Sequence, residues 1–408
     1  MTPVAQHSDR RAATGSAVEV LRIFAKLGVS SFGGPIAHLG YFRLEFVVRR
    51  RWLEESAFAD LIGLCQFLPG PASSQAAFSL GLIRAGYPGG IAAWAGFTLP
   101  SAIALTLFAF GASALQGPIA IGLMHGLQLV AVAIVAQAVW GMARTLCPDR
   151  ERASIAAIGA GIILFSPSSI AQIATIVFGG IAGLWLCRAR SSASIGHVSV
   201  KVSRRVGVLS LVVFCLLLGG LPVLRSPSTP HGVALFEAFY RSGALVFGGG
   251  HVVLPLLREA VVAPGWVSDD TFLAGYGAAQ AVPGPLFSFA AYLGAVEQPS
   301  PNGLTGAAVG LVAIFLPGML VLLGALPFWQ AFGRHAGAQA VMRGVDAAVV
   351  GILGAALYNP IWTNSVRTSG DVAIAIVGFV LLTKWRAPPL VIVLVSALGG
   401  IALVWLAS

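Results

Sequence analysis

The sequence predicts an all-α integral membrane protein with about thirteen transmembrane segments, arranged as two inverted-topology repeats that contain broken helices. Three observations lead there. Of 408 residues, 57% are apolar and only 10% charged, far below the quarter expected of a soluble domain, and no polar stretch is long enough to form a separate one. Motifs of the first half return in order in the second. A Pro-Gly-Pro interrupts an apolar segment at matched places in both halves.

Stretches able to cross about 30 Å of hydrocarbon run over 17–42, 58–83, 89–115 and 119–143. The stretch 153–187 is too long for one crossing, and Ser166-Pro167-Ser168-Ser169 divides it into two tilted spans. A free-standing span covers 206–224, followed by 234–257, 271–296, 303–332, 340–361, 372–383 and 390–407. Residues 1–15 are polar and carry Arg10 and Arg11 without a small-residue cleavage site, so they read as a cytoplasmic tail.

Basic residues outnumber acidic ones 25 to 15. They fall in short connectors such as 188–205, which is how cytoplasmic membrane loops read, and not in the broad basic face of a nucleic-acid binder. Cys65, Cys147, Cys187 and Cys215 have neither disulfide nor metal spacing and read as packing residues. No metal or other cofactor is expected.

The internal repeat is explicit. Gly179-Gly180-Ile181-Ala182 matches Gly399-Gly400-Ile401-Ala402, Phe32-Gly33-Gly34 matches Phe247-Gly248-Gly249, Trp52 and Phe58 match Trp266 and Phe272, and Met124-His125-Gly126 matches Met342-Arg343-Gly344. The expected organisation is a tail (1–15), a first repeat (16–187), a basic linker with a connecting span (188–234) and a second repeat (235–408). Six crossings per copy plus the connecting span place seven crossings before the second copy, which therefore starts from the opposite side. Inverted repeats commonly hold a substrate between them and rock to open alternate faces.

With the N-terminus inside, connectors on that side carry fourteen basic residues, among them Arg84, Arg144, Arg150, Arg204, Arg258 and Lys384, against six on the other, including Arg225 and Arg367. The balance predicts a cytoplasmic N-terminus and an external C-terminus. The Arg49-Arg50-Arg51 run falls on the minority side. Either the first segment does not cross fully, or the run is interfacial and balanced by Glu45, Glu54 and Glu55.

The residues with chemical potential cluster at the interruptions. Gln66-Phe67-Leu68-Pro69-Gly70-Pro71 and Gln280-Ala281-Val282-Pro283-Gly284-Pro285 each remove two backbone donors, so no helix passes through smoothly. A half-helix starting after Pro71 or Pro285 turns its free amides and positive dipole end toward the break, where an anion is favoured. Ser74 and Ser288 add hydroxyls one turn on, and Gln66 and Gln280 add amides. A packing kink explains one such motif; two matched copies favour a site.

Lys26 and Arg241 precede the Phe-Gly-Gly of each copy within apolar sequence. Cations there either meet an anion or snorkel to the interface, and both readings stand. Gly33, Gly34, Gly248 and Gly249 are further candidates to expose amides, although close helix packing explains glycine equally well. Asp346 is the candidate for a coupled proton, with an ion pair to Arg343 as the simpler reading. His38 and His251 flank the glycine motifs without matching each other and read as satisfied structural donors. No nucleophile elbow, phosphate loop or metal-binding histidine pair occurs, so an enzyme is not expected.

Phe32-Gly33-Gly34-Pro35, the Gln66 to Pro71 motif and their partners Phe247-Gly248-Gly249-Gly250-His251 and Gln280 to Pro285 resemble the two-domain members of the chromate ion transporter family. The likeness covers nearly the whole chain apart from the tail and the linker. It implies a bacterial cytoplasmic-membrane protein that exports chromate and confers resistance, or that serves sulfate or another oxyanion. Moving a dianion out of an inside-negative cell releases about 4.6 kcal/mol per 100 mV, so potential alone suffices as the drive, and proton exchange would add to it. An anion channel shares the half-helix logic. The expected partners are chromate or sulfate and the lipid bilayer, with no nucleic acid, and a homodimer is compatible.

Overall fold

The computed structural model describes residues 15–114, 117–166, 168–187, 202–224, 229–329 and 335–407. Most of the N-terminal tail, the linker from Arg188 to Lys201, and Pro167, Arg225 and Arg334 lie outside the described residues. Those described form helices joined by short turns, with no strand among them.

The first copy contains α1 (Ala17–Ser30), α2 (Gly34–Phe42), α3 (Glu55–Phe67), α4 (Ala72–Ala114), α5 (Pro118–Leu146), α6 (Arg150–Phe165) and α7 (Ser169–Leu186). After α8 (Arg204–Val223) the order returns as α9 (His231–Ala244), α10 (Val253–Val261), α11 (Asp269–Ala281), α12 (Phe289–Val296), α13 (Gly303–Ala325), α14 (Ala336–Ala356), α15 (Ser369–Thr383) and α16 (Pro389–Ala407). The first part of α4 answers to α12 and its second part to α13. Non-helical backbone at Ala85 and Gly86 divides α4 there, just before Pro88, which lacks the donor a continuous helix needs.

Among the described residues six helices are long and apolar enough to cross a membrane: 72–112, 118–146, 204–223, 303–328, 336–365 and 389–406. The stretch 153–187 is two helices, as its Ser-Pro interruption predicts. Four other predicted crossings are different in kind. The stretches 17–42, 58–83, 234–257 and 271–296 each hold helical pieces separated by a break. At 1.5 Å per residue α1 rises only about 21 Å, less than the hydrocarbon thickness.

Packing relies on small residues, as it must where apolar side chains gain little by leaving lipid. A Cβ on Gly28 of α1 would stand 2.6 Å from the Gly96 carbonyl of α4, and Gly243 of α9 sits closer still against the Ile314 carbonyl of α13. The far halves of the copies clasp each other reciprocally. The first copy's α5 packs on the second copy's α16, and the second copy's α14 packs on the first copy's α7. Gly122 and Gly126 meet Ile401 and Ser396 at one contact, and Gly344 meets Gly179 and Gly183 at the other. A polar link joins α5 to α15, where His125 Nε2 lies 2.6 Å from the buried Asp371 carboxylate. Asp371 also accepts from the Arg367 and Thr368 amides and closes the capping box of α15.

The Arg49-Arg50-Arg51 run follows a π-helical turn, Arg43–Arg49. Its neighbours are balanced: Arg50 Nε lies 2.6 Å from Glu45, Arg49 reaches the same carboxylate, and Arg43 pairs with Glu55. Burial opposes ionisation of Glu45, but the hydrogen bonds from Arg50 and Arg49 outweigh it and hold the carboxyl below its ordinary value.

Candidate functional site

The interruptions are breaks, and they come together. The first helix before a Pro-Gly-Pro, α3, ends at Phe67 with Leu68 extended, and α4 begins directly after Pro71. In the second copy α11 ends at Ala281, Val282 is extended, and a 3-10 turn from Leu286 to Ser288 leads into α12.

Each Pro-Gly-Pro docks on the other copy. The Gly70 amide donates to the Val246 carbonyl at 2.8 Å, and the Gly284 amide donates to the Ser31 carbonyl at 3.0 Å. Ser31 and Val246 are equivalent positions, one residue before the Phe-Gly-Gly of each copy. Two junctions result: a first, where the Phe-Gly-Gly break of copy one receives the Pro-Gly-Pro of copy two, and a second with the roles exchanged. The Phe-Gly-Gly breaks also approach one another, since a Cβ on Gly250 would lie 3.4 Å from Pro35.

Both glycines need their conformation and their lack of a side chain. Gly70 has φ +115° and Gly284 φ +104°, where an L-residue is strained. A Cβ on Gly70 would stand 2.9 Å from Gly318 Cα, and one on Gly284 would stand 2.9 Å from Ser101 Oγ.

The other expected site residues divide into those the structure gathers and those it does not. Ser288 is buried and its hydroxyl lies 2.7 Å from Ser101 Oγ across the copies. Ser74 is buried with its hydroxyl unpartnered, as is Gln280 Nε2, whereas Gln66 is exposed. Pro71 and Pro285 are buried, Pro69 and Pro283 half-buried. Gly33 and Gly249 are exposed, and Gly34 and Gly248 partly so.

The cations stand apart from the breaks. Lys26 is exposed on α1. Arg241 Nε lies 2.9 Å from the carboxylate of Glu237, which is 3% exposed, so the guanidinium already serves a buried acid one turn earlier. No hydrogen bond or ion pair among the described residues joins either cation to a break. Arg241→Ala should accordingly lower stability by about 3 kcal/mol, the low end for removing one partner of a buried pair, and Arg241→Ala with Glu237→Gln should recover most of it. Thermal unfolding of the detergent-solubilised variants checks this.

Two expectations are corrected. The Arg343 to Asp346 ion pair is not among the described salt bridges: Arg343 donates to the Cys187 carbonyl at 3.3 Å, because its helix face meets the end of α7, while Asp346 Oδ1 is buried with no partner. It faces the second junction, 3.2 Å from where a Cβ on Gly248 would be. Of the histidines, His251 does have a partner, Tyr276 OH at 2.6 Å. His38 does not. It is 1% exposed, stands edge-on to Phe97 with ring centroids 5.1 Å apart, and approaches the Ser31 backbone without either nitrogen forming a well-aligned hydrogen bond.

Sequence reasoning also missed Gln75, Thr98 and Ser101. Gln75 Nε2 donates to the carbonyls of Pro69 and Gly318, each at 2.9 Å. The signal was available: Leu99-Pro100-Ser101 matches Leu316-Pro317-Gly318 at a shift of 217, and these are the segments of α4 and α13 on which the Pro-Gly-Pro of the opposite copy rests.

A helical, multi-pass membrane protein that concentrates irregular backbone in its interior, where two copies of one unit meet, has the architecture of a membrane transporter. The comparison with known proteins gives the particular one. The chain belongs to the chromate transporter family, whose profile, described as chromate transporter, matches residues 18–184 and again 233–401. It is 28% identical over 389 residues to the chromate transport protein of Pseudomonas aeruginosa, covering 92% of this chain and 89% of that one. With the chromate transport protein of Cupriavidus metallidurans the identity is 24% over 94% and 92% of the two chains. An uncharacterized transporter of Bacillus subtilis, YwrA, matches at 30% over 98% of its own length but only 43% of this chain, about the size of one copy. No solved structure matches.

Proposed function

We propose that this protein is a secondary transporter that exports chromate, a divalent tetrahedral oxyanion, across the bacterial cytoplasmic membrane and thereby confers resistance. The N-terminus is cytoplasmic and the C-terminus external, and the two copies, 16–187 and 235–408, are inverted. The observation that carries the reading is the reciprocal docking of breaks, Gly70 on Val246 and Gly284 on Ser31, which sets broken backbone of each copy against the other. Membrane potential supplies the drive, and Asp346, with its unpartnered oxygen at the second junction, is the residue for a coupled proton.

An unequal pair of contacts favours a transporter over a channel. The second copy's hairpin is closed down: Gly277 of α11 lies against the Leu127 carbonyl of α5, and Gln128 Nε2 donates to Asp270 at 3.0 Å. The equivalent glycine of the first copy, Gly63, has nothing within 4 Å of where its Cβ would be. Its expected counterparts, Val345 for Leu127 and Asp346 for Gln128, pair Asp346 with Ser56, the residue equivalent to Asp270. Two copies of one unit in different conformations are what alternating access between inverted repeats requires, each state exchanging the roles of the copies.

Flux of labelled chromate and sulfate in proteoliposomes at several clamped voltages tests the reading. The expected result is counterflow of chromate, with a net flux that rises as the chromate-containing compartment is made more negative. Sulfate carried in preference to chromate would give the same machine another substrate. Flux without counterflow would make it an anion channel.

A further inference from the structure

The two junctions share a backbone plan but not a chemistry. At the first, the side chains are Ser31, His38, Thr98 and Ser101; the positions equivalent to them at the second are Val246, Val253, Phe315 and Gly318. Every polar side chain of the first set is replaced by an apolar one or by none. The equivalence is structural as well as sequential, because Gly284 abuts Ser101 just as Gly70 abuts Gly318.

Polar groups in a protein interior are ordinarily hydrogen-bonded, and of those at the first junction only Ser101 is, to Ser288 and the Thr98 carbonyl. Ser31 Oγ and Thr98 Oγ1 lack partners, and the His38 ring approaches the Ser31 backbone without a well-formed hydrogen bond, although Ser31 and Thr98 are completely buried and His38 nearly so. Leaving such groups unpaired is costly, so they want a ligand with several acceptor atoms. They belong to three elements that meet around Gly284: the Ser31 carbonyl at the end of α1 accepts its amide, its Cβ position abuts Ser101 and Phe97 on either side of Thr98 in α4, and His38 of α2 stands against Phe97. The N-terminus of α2, three residues after Ser31, has no side-chain cap, which adds the positive end of a helix dipole nearby.

The second junction is the opposite. Val246, Val253 and Phe315 are buried hydrocarbon, and Gln75 ties Pro69 to Gly318. What remains there is one unpartnered hydroxyl, Ser74, beside two acceptors that repel an anion, Gln75 Oε1 and Asp346 Oδ1.

We propose that the first junction is the single oxyanion-binding site of the transporter, its tetrahedral dianion held by the hydroxyls of Ser31 and Thr98 and the imidazole N–H of His38, and that the second junction is an apolar pivot. The proposal deepens the oxyanion reading above and rests on it. It gives the substrate to one junction instead of a position shared equally by the two repeats, and gives the duplicated halves different tasks.

Equilibrium binding of labelled sulfate and chromate to the purified full-length protein tests it, alongside transport in proteoliposomes. Ser31→Ala, Thr98→Val and His38→Ala should each weaken binding tenfold or more and raise the transport KM in proportion, while His38→Gln, which keeps a donor, should recover part of the loss. Val246→Ala and Val253→Ala, the equivalents at the second junction, should change affinity by less than threefold. Because the Ser31 carbonyl holds Gly284 and is untouched by Ser31→Ala, that variant should fold normally. Wild-type affinity in the three polar variants would overturn the proposal and leave those groups to buried water. Equal losses at both junctions would overturn it in favour of a shared site. Failure of the wild type to bind either anion would overturn the oxyanion reading together with it.

Discussion

Gly284→Ala and Gly70→Ala should each abolish transport, with flux falling at least a hundredfold while the protein still inserts and purifies. Two penalties coincide at each position. The backbone has φ above +100°, which an L-residue adopts only under strain of about 1–3 kcal/mol. The new methyl also meets Gly318 Cα or Ser101 Oγ at 2.9 Å. Backbone cannot retreat from Gly70 without losing its bond to Val246, and Ser101 cannot turn from Gly284 without giving up Ser288. The break therefore lifts off the opposite copy, and the polar interior no longer closes. Chromate uptake into everted vesicles, read beside thermal unfolding of the same preparations, measures the effect. Near-normal flux in both variants would reduce the Pro-Gly-Pro motifs to packing kinks.

Gly63→Leu should stop turnover without harming the fold. In this conformation the position is open, and leucine is the better helix former by roughly 1 kcal/mol, so thermal stability should equal or exceed that of the wild type. If the copies exchange conformations, Gly63 must reach the closeness that Gly277 has to Leu127, a contact with no room for any side chain. The leucine then acts as a wedge that holds the first copy's hairpin open. Binding of sulfate should persist while flux falls at least tenfold, a separation that general misfolding does not produce. Normal turnover would mean that α3 never closes on α14.

The positions of the breaks were legible from local chemistry. Proline lacks a donor wherever it stands, so the ends of α3 and α11 at Phe67 and Ala281 follow from Pro69 and Pro283 without knowledge of their surroundings. The duplication was legible for a similar reason, since matched motifs in a fixed order need no coordinates. Side-chain partners were not. Lys26 and Arg241 looked alike along the chain, yet one is exposed and the other is engaged by Glu237. Asp346 looked paired with Arg343, but Arg343 is turned to α7. His38 and His251 looked equivalent in kind, and only His251 finds a hydroxyl.

The sequence by itself determined that this chain lives in a membrane, that it is built twice, that its helices break at Pro-Gly-Pro and to which family it belongs. All of these are properties of composition and short-range order. Only the tertiary structure decided that each Pro-Gly-Pro rests on the opposite copy and that Ser31, His38 and Thr98 line one junction where valine and phenylalanine stand at the equivalent places of the other. A hydrogen bond such as Gly284 to Ser31 joins residues more than two hundred positions apart, and no local propensity encodes which distant group will satisfy a freed amide.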